Sequence, residues 1–315
     1  MFRYAVLGVP VKKAHLLSLI HDRILVMGII FGLCAAISWG TGDFFARHAT
    51  HRIGTYRTLF FIQFVGLAGL SGYLLATGQL VVLFEHTSWQ PWIWAALAAI
   101  LNIVASLALY RAFEVGTLSL VSPIAASYAA VTVILAFFSG EVLSGLQNCA
   151  IVVTLLGVII VSTPFGRREK PSLKHGGVRG IQWALTAAVC YGLTFWILGF
   201  YVSPALGSIV PVWCIRLMTP CVLLLCAPAV KQKLTLPRGG VWWLILANSI
   251  ADTLGYISYT TGMTASGDIS IVTILSSLYS AVTILLAWIF LRERLQRSQW
   301  LGILVVFCGI VLINT

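Results

Sequence analysis

The strongest constraint on this chain is that it contains one stretch twice. TLSLVSPIAASYAAVTVILAF begins at Thr117 and DISIVTILSSLYSAVTILLAW at Asp268, 151 residues apart, and eight of their twenty-one aligned positions are identical. Most of the remaining positions exchange like for like. Both copies lie in apolar sequence about 20 residues long, the length a helix needs to cross a bilayer. A repeat of this kind predicts a membrane protein assembled from two related halves.

Composition agrees, because 59% of the 315 residues are hydrophobic and only 9% are charged, far from the balance of a soluble domain. Ten apolar stretches predict ten transmembrane helices: residues 27–45, 58–77, 92–110, 118–138 and 150–163 in the first half, and residues 181–200, 209–230, 241–259, 269–291 and 301–313 in the second. The expected fold is an all-α membrane protein of two inverted-topology five-helix repeats, residues 27–165 and 181–315, joined by the polar linker 166–180. Residues 1–26 form a separate tail, in which Lys12, Lys13, Asp22 and Arg23 interrupt any run long enough to cross. The tail fits a cleaved signal peptide poorly, and a start at Met27 is an alternative.

The seven cysteines lie in or at the ends of apolar stretches with no CxxC and no Cys/His cluster, so they read as packing residues, with no metal or cofactor expected. Lys and Arg outnumber Asp and Glu by 20 to 9, but the charges fall in loops between spans, which argues for membrane orientation and against nucleic acid. Fifteen Lys and Arg occupy the loops after odd-numbered spans, from Arg47, Arg52 and Arg57 to Arg292, Arg294 and Arg297, and none follows an even-numbered span. By the positive-inside rule these loops face the cytoplasm and both termini face outside, although Arg3, Lys12, Lys13 and Arg23 in the tail pull the other way. A repeat of five spans necessarily inverts the second half, so charge switches between equivalent loops.

In each half a small-residue turn precedes a helix that ends in Glu, with Gln six and Gly sixteen residues later: Glu141, Gln147 and Gly157, then Glu293, Gln299 and Gly309. The pairs Trp39–Gly40 and Tyr191–Gly192 recur 152 residues apart in the first span of each half. In these features nearly all of the chain after Met27 resembles the EamA-type transporters of the drug/metabolite transporter superfamily. The resemblance implies a secondary transporter of small molecules in the bacterial inner membrane. One departure is that relatives often carry Pro in the fourth helix, where this chain has Ala129 and Ser280. A kink is therefore expected to be absent there, unless Pro123 supplies one in the first copy.

Ionisable side chains deep in a membrane cost roughly 2.5–3.5 kcal/mol and normally face a cavity or a partner. Asp252 is the clearest case. With Asn248, Tyr256 and Tyr259 it forms a polar stripe on the eighth span, and Asn102, Ser106 and Tyr110 make a comparable stripe on the third. Both stripes are expected to turn inward, with Asp252 exchanging a proton or holding a structural hydrogen bond. Arg216 and Arg57 are expected to snorkel to the interface, the alternative for Arg216 being a substrate carboxylate or an acidic partner. Trp39, Tyr191 and Tyr279 could wall a site for an apolar or cationic group. Thr273, Ser276, Ser280 and Thr283 share one face of the ninth span, for helix packing or for substrate. Glu141 and Glu293 read as helix-end or gating contacts, and Asp43 as a cavity-mouth or loop-solvated residue.

The leading function is a secondary transporter exporting small metabolites, such as amino acids or related compounds, by alternating access. The chain lacks a GxxxxGK[ST] phosphate loop, which leaves a proton gradient or exchange as the energy source. Expected partners are the small-molecule substrate, the lipid bilayer and protons, in a monomer or a homodimer. An enzyme is not expected. GTGD at residues 40–43 matches the GxGD of intramembrane aspartyl proteases, but the second span offers no second Asp. A receptor or assembly subunit is the remaining alternative.

Overall fold

The computed structural model describes residues 11–79, 88–116, 118–162 and 176–291, together with residues 300–302, 304, 305, 308, 309 and 312. The tail up to residue 10, the linker up to residue 175 and the loop bearing Arg292, Glu293, Arg294, Arg297 and Gln299 lie outside the described residues, as does part of the tenth expected span.

The described residues are all-helical, without a strand. In order they form α1 (Val11–Ile53), α2 (Thr55–Thr77), α3 (Gln90–Val115), α4 (Leu118–Ala126), α5 (Tyr128–Phe138), α6 (Gly145–Ser162) and α7 (Gly176–Ile197). A π-helical turn, Leu198–Val202, leads into α8 (Ser203–Leu206), followed by α9 (Val210–Cys226), α10 (Val241–Ser266), α11 (Ile269–Ser277) and α12 (Tyr279–Leu291). Among the described residues, six helical stretches are long and apolar enough to cross a membrane: Leu25–Ile53, Thr55–Thr77, Gln90–Val115, Val121–Phe138, Gly180–Leu206 and Ile269–Phe290. Gly145–Gly157 and Val210–Cys226 are apolar but shorter. Ten spans are thus not established. The stripe of Asn248, Asp252, Tyr256 and Tyr259 dilutes the apolar character of α10, and the tenth stretch is only partly described.

Lipid exposure explains the sequence of α3. Ile93, Leu97, Ile100 and Val104 recur at helical spacing and are exposed, while Ala95, Ala98, Ala99, Asn102, Ala105 and Ser106 on the other side are buried. Large apolar side chains face outward, and small or polar ones let helices approach inside.

The packing is reciprocal between halves. The most extensive contacts are α1 with α10 and α3 with α7, so the first span of each half lies along the third span of the other. Likewise α12 packs on α1 and α5 on α7. At the crossings sit the two aromatic-Gly pairs. A Cβ on Gly40 would lie 2.6 Å from Val282 and 2.7 Å from the Tyr279 carbonyl, and one on Gly192 would lie 2.5 Å from Val131 and 3.0 Å from the Tyr128 carbonyl. Thr283 and Thr132 donate hydroxyls to the Gly40 and Gly192 carbonyls at 3.2 and 3.0 Å. Each copy of the Tyr-x-x-Val-Thr sequence therefore docks on the glycine of the opposite half. Gly28 and Gly32 serve a similar end within the chain, facing Ser266 and Leu275.

Both copies of the duplicated span break at the same place, Ser127 and Leu278, where the amides bond three residues back, to Ile124 at 3.2 Å and to Leu275 at 3.2 Å. A break is thus present in both copies: the first has Pro123 four residues before it, as allowed for, whereas the second, where none was expected, has Ile274 at that place. Hydroxyl bonds accompany the break in both copies. Ser127 donates to Ile124, Ser276 to Thr273, Ser277 to Ile274 and Ser280 to Ser277, all three residues back along the chain. Such bonds compete with the regular helix and tighten the turn. The break sets Tyr128 and Tyr279 ring to ring, with centroids 6.2 Å apart and planes at 19°.

Candidate functional site

The two polar stripes meet at the middle of the molecule. Asn102 on α3 donates to the Tyr256 hydroxyl on α10, and Asn248 on α10 donates to the Tyr110 hydroxyl on α3 at 3.4 Å. Ser106 is bonded to the Tyr191 hydroxyl at 2.9 Å. A cavity opens beside them, lined by Trp39, Asp43, Ser106, Tyr110, Tyr128, Tyr191, Phe195, Asn248, Asp252, Tyr256 and Tyr279. It is narrow. Its volume is about 40 Å³, room for roughly three waters, so a larger solute requires the helices to part.

Asp252 is bonded to Arg216 on α9, with Nη1 to Oδ2 at 2.8 Å, and the same Nη1 donates to Gln63 on α2. Arg216 is fully buried, whereas the Asp252 side chain keeps 17% exposure on the cavity side. The Arg216 guanidinium carbon lies 5.5 Å from the centre of the Tyr256 ring. Arg216 therefore does not snorkel. Its charge is too well enclosed by protein to reach an interface, and an ion pair holds it in place. Arg57 does reach a loop, donating to the Thr235 carbonyl at 2.5 Å.

Of the remaining sequence candidates, Tyr259 is fully buried, bonded to Thr273 at 2.5 Å and packed on Trp39 and Phe195. Ser276 is bonded to the Tyr128 hydroxyl at 2.7 Å. Ser280 does not line the cavity, because its hydroxyl is spent on the Ser277 carbonyl of its own helix segment. Sequence reading gave no weight to Gln63, Tyr128 or Phe195 and little to Asp43, yet Asp43 is 8% exposed and lines the cavity. Lone polar residues inside apolar spans, Gln63 above all, were the available signal.

Two aspartates thus share one cavity, Asp43 of the GTGD sequence on α1 and Asp252 on α10. Their bonding differs from that of a protease dyad. Such a pair shares a proton between adjacent carboxyls, whereas Asp252 accepts from Arg216, and Asp43 Oδ2 has no hydrogen-bond partner.

Glu141 joins the halves at one end of the bundle. Its carboxylate accepts from the Ser270 amide at 3.1 Å and the Ser270 hydroxyl at 2.5 Å, satisfying a free amide at the start of α11. Burial pushes this carboxyl above the ordinary Glu value of 4.5, and the bonds to Ser270 offset part of the rise. Protonation therefore favours the closed contact. The closed contact is fully favoured below the ordinary value and loses that stabilisation as pH rises through the raised one. Hydrogen exchange at the Ser270 amide, corrected for its intrinsic rate, is expected to lose protection over that window, and Glu141→Gln to remove the pH dependence. Unchanged dependence in the variant would rule this out.

Reciprocal helix packing around a buried, charged cavity defines a two-repeat integral membrane protein with a central polar chamber. The chain belongs to the EamA-like transporter family, whose model matches residues 26–163 and 178–315. It is therefore a membrane transporter of the drug/metabolite transporter superfamily. It is 30% identical over 135 residues to the uncharacterized protein MJ1333.1 of Methanocaldococcus jannaschii, a match that spans 42% of this chain and 95% of that protein. A solved crystal structure, described only as that of a protein, superposes with a TM-score of 0.68 at 18% identity, covering 90% of this chain and 95% of that one. That likeness concerns the fold.

Proposed function

We propose that the protein is a secondary active transporter that exports small metabolites, amino acids or related compounds, across the bacterial inner membrane by alternating access. The observation that carries this reading is the central cavity, where the polar stripes of both halves converge on the Asp252–Arg216 pair. A substrate site at the interface of two repeats suits alternating access, because rocking one repeat against the other exposes it to each side in turn. The reciprocal packing supports two inverted repeats of five spans, ten in all, divided at the linker 166–180. The basic loops after odd-numbered spans would lie in the cytoplasm, with both termini outside. With no phosphate loop in the chain, flux is driven by a proton gradient or by exchange. Asp252 takes part in coupling in this scheme, releasing Arg216 when it takes a proton.

The test is flux of a pooled amino-acid and metabolite panel in vesicles, with and without an imposed pH gradient. The native chain is compared with Asp252→Asn, whose amide oxygen can still accept from Arg216. Movement of one compound class driven by the gradient, and lost in a variant that elutes as folded protein, is the expected result. Gradient-driven flux that persists in Asp252→Asn removes Asp252 from coupling. No flux of any compound by the native chain would count against transport of this panel.

A further inference from the structure

Asp43 and Asp252 face the same cavity, but their charges are answered differently. Asp252 has Arg216. Asp43 is 8% exposed, forms no ion pair among the described residues and leaves Oδ2 without a hydrogen bond. Trp39 stands one turn before it on α1, and Tyr110, Tyr128 and Tyr279 line the same chamber. An ionised carboxylate enclosed in protein and lipid is strongly disfavoured unless a proton or a cation accompanies it. Aromatic faces around such a carboxylate add attraction for an organic cation, because the ring quadrupole is negative on its face.

We propose that Asp43 seats a cationic ammonium group of the substrate, with Trp39, Tyr128 and Tyr279 as its aromatic walls, and that a proton and the ammonium occupy this carboxylate in turn. This rests on reading the cavity as the transport site and names the substrate class: organic ammonium compounds with a compact apolar body. The charged and titratable groups in electrostatic reach of Asp43 are Asp252 on α10, Tyr110 on α3, Tyr128 on α5 and Tyr279 on α12. Arg216 on α9 lies beyond Asp252 and is bonded to it. On α1 itself, Arg47 follows one turn later without an ion pair to Asp43, its Nη1 buried without a hydrogen-bond partner, and the His48 ring is bonded to the Phe44 carbonyl. The α2 cation Arg57 is turned to the Thr235 carbonyl, and α11 carries no titratable side chain. Among the described residues, then, two carboxylates line the chamber, of which Asp252 is ion-paired to Arg216 behind it and Asp43 is not ion-paired.

The experiment is equilibrium binding to the purified full chain in lipid nanodiscs, using three probes of similar size. They are 2-phenylethylammonium, neutral 3-phenylpropan-1-ol and anionic 3-phenylpropanoate. The ammonium is expected to bind about tenfold or more tightly than either analogue, and to weaken as pH falls and protons compete for Asp43. Asp43→Asn should bring the ammonium down to the level of the alcohol, and Asp43→Glu should retain the preference. Equal binding of the three probes, tighter binding of the anion, no ammonium binding at millimolar concentration, or an unchanged preference in Asp43→Asn overturns the proposal. Should Asp43→Asn fail to fold, the probe ranking and its pH dependence in the native chain still decide. Binding is read apart from flux. Ammonium binding at Asp43 without vesicle transport would refute the transport reading alone, and transport of compounds that carry no cation would refute the ammonium site alone.

Discussion

Arg216→Met is expected to yield little stably folded protein, whereas the double replacement Arg216→Met with Asp252→Asn is expected to recover most of it. In the native chain the guanidinium is fully buried and bonded to Asp252 and Gln63. Removing one member of a buried ion pair leaves the other charge without compensation and costs about 3–5 kcal/mol, while removing both charges is often close to neutral. Thermal unfolding in detergent, followed by tryptophan fluorescence, distinguishes the variants. A single variant as stable as the native chain would mean that Asp252 finds enough water in the cavity without Arg216. Because the pair lies next to the chamber, the double variant should fold yet lose flux, which separates the role of the pair in folding from its role in transport.

Gly40→Ala and Gly192→Ala should each lower thermal stability, by about 1–3 kcal/mol for the forced repacking, and Gly40→Val or Gly192→Val by more. The obstruction in both places includes a backbone carbonyl, of Tyr279 or Tyr128, which cannot step aside as a side chain can. Gly69→Ala is the control, since nothing lies within 4 Å of a Cβ there. It should be neutral or gain about 0.5–1 kcal/mol from helix propensity alone. Similar losses at Gly40 and Gly192 are expected from the reciprocal packing. A large loss at one and none at the other would show that the two halves are not energetically equivalent at this crossing.

Much of this arrangement could be read from the chain before any coordinates. The duplicated span, the two polar stripes and the aromatic-Gly pairs are local patterns, and each occupies an equivalent place in the two halves. What could not be read was partnership across long separations. An arginine in an apolar span looks the same whether it snorkels or pairs, and the partners of Arg216 are 36 residues after it and 153 before it. The sequence places Asp43 at a cavity mouth or in a loop, and its depth was missed for a different reason. The first span was expected to end at residue 45, but α1 continues to Ile53. Asp43 is thereby about 15 Å from the helix end, inside the bundle and away from its rim. Proline-based reasoning missed the break at Leu278, because the hydroxyls that tighten that turn are ordinary in composition and informative only by position.

The pairing of α1 with α10 also dictates an order of events during synthesis. The first span enters the membrane carrying Asp43 some two hundred residues before Asn248 and Asp252, the groups that will share its chamber, have been made. Until then the notch at Gly40 is empty, and Val282, which fills it, comes later still. The chamber therefore cannot exist in a nascent chain: the ribosome must finish most of the last third of the protein before the first span has its main partners, α10 and α12, to close against.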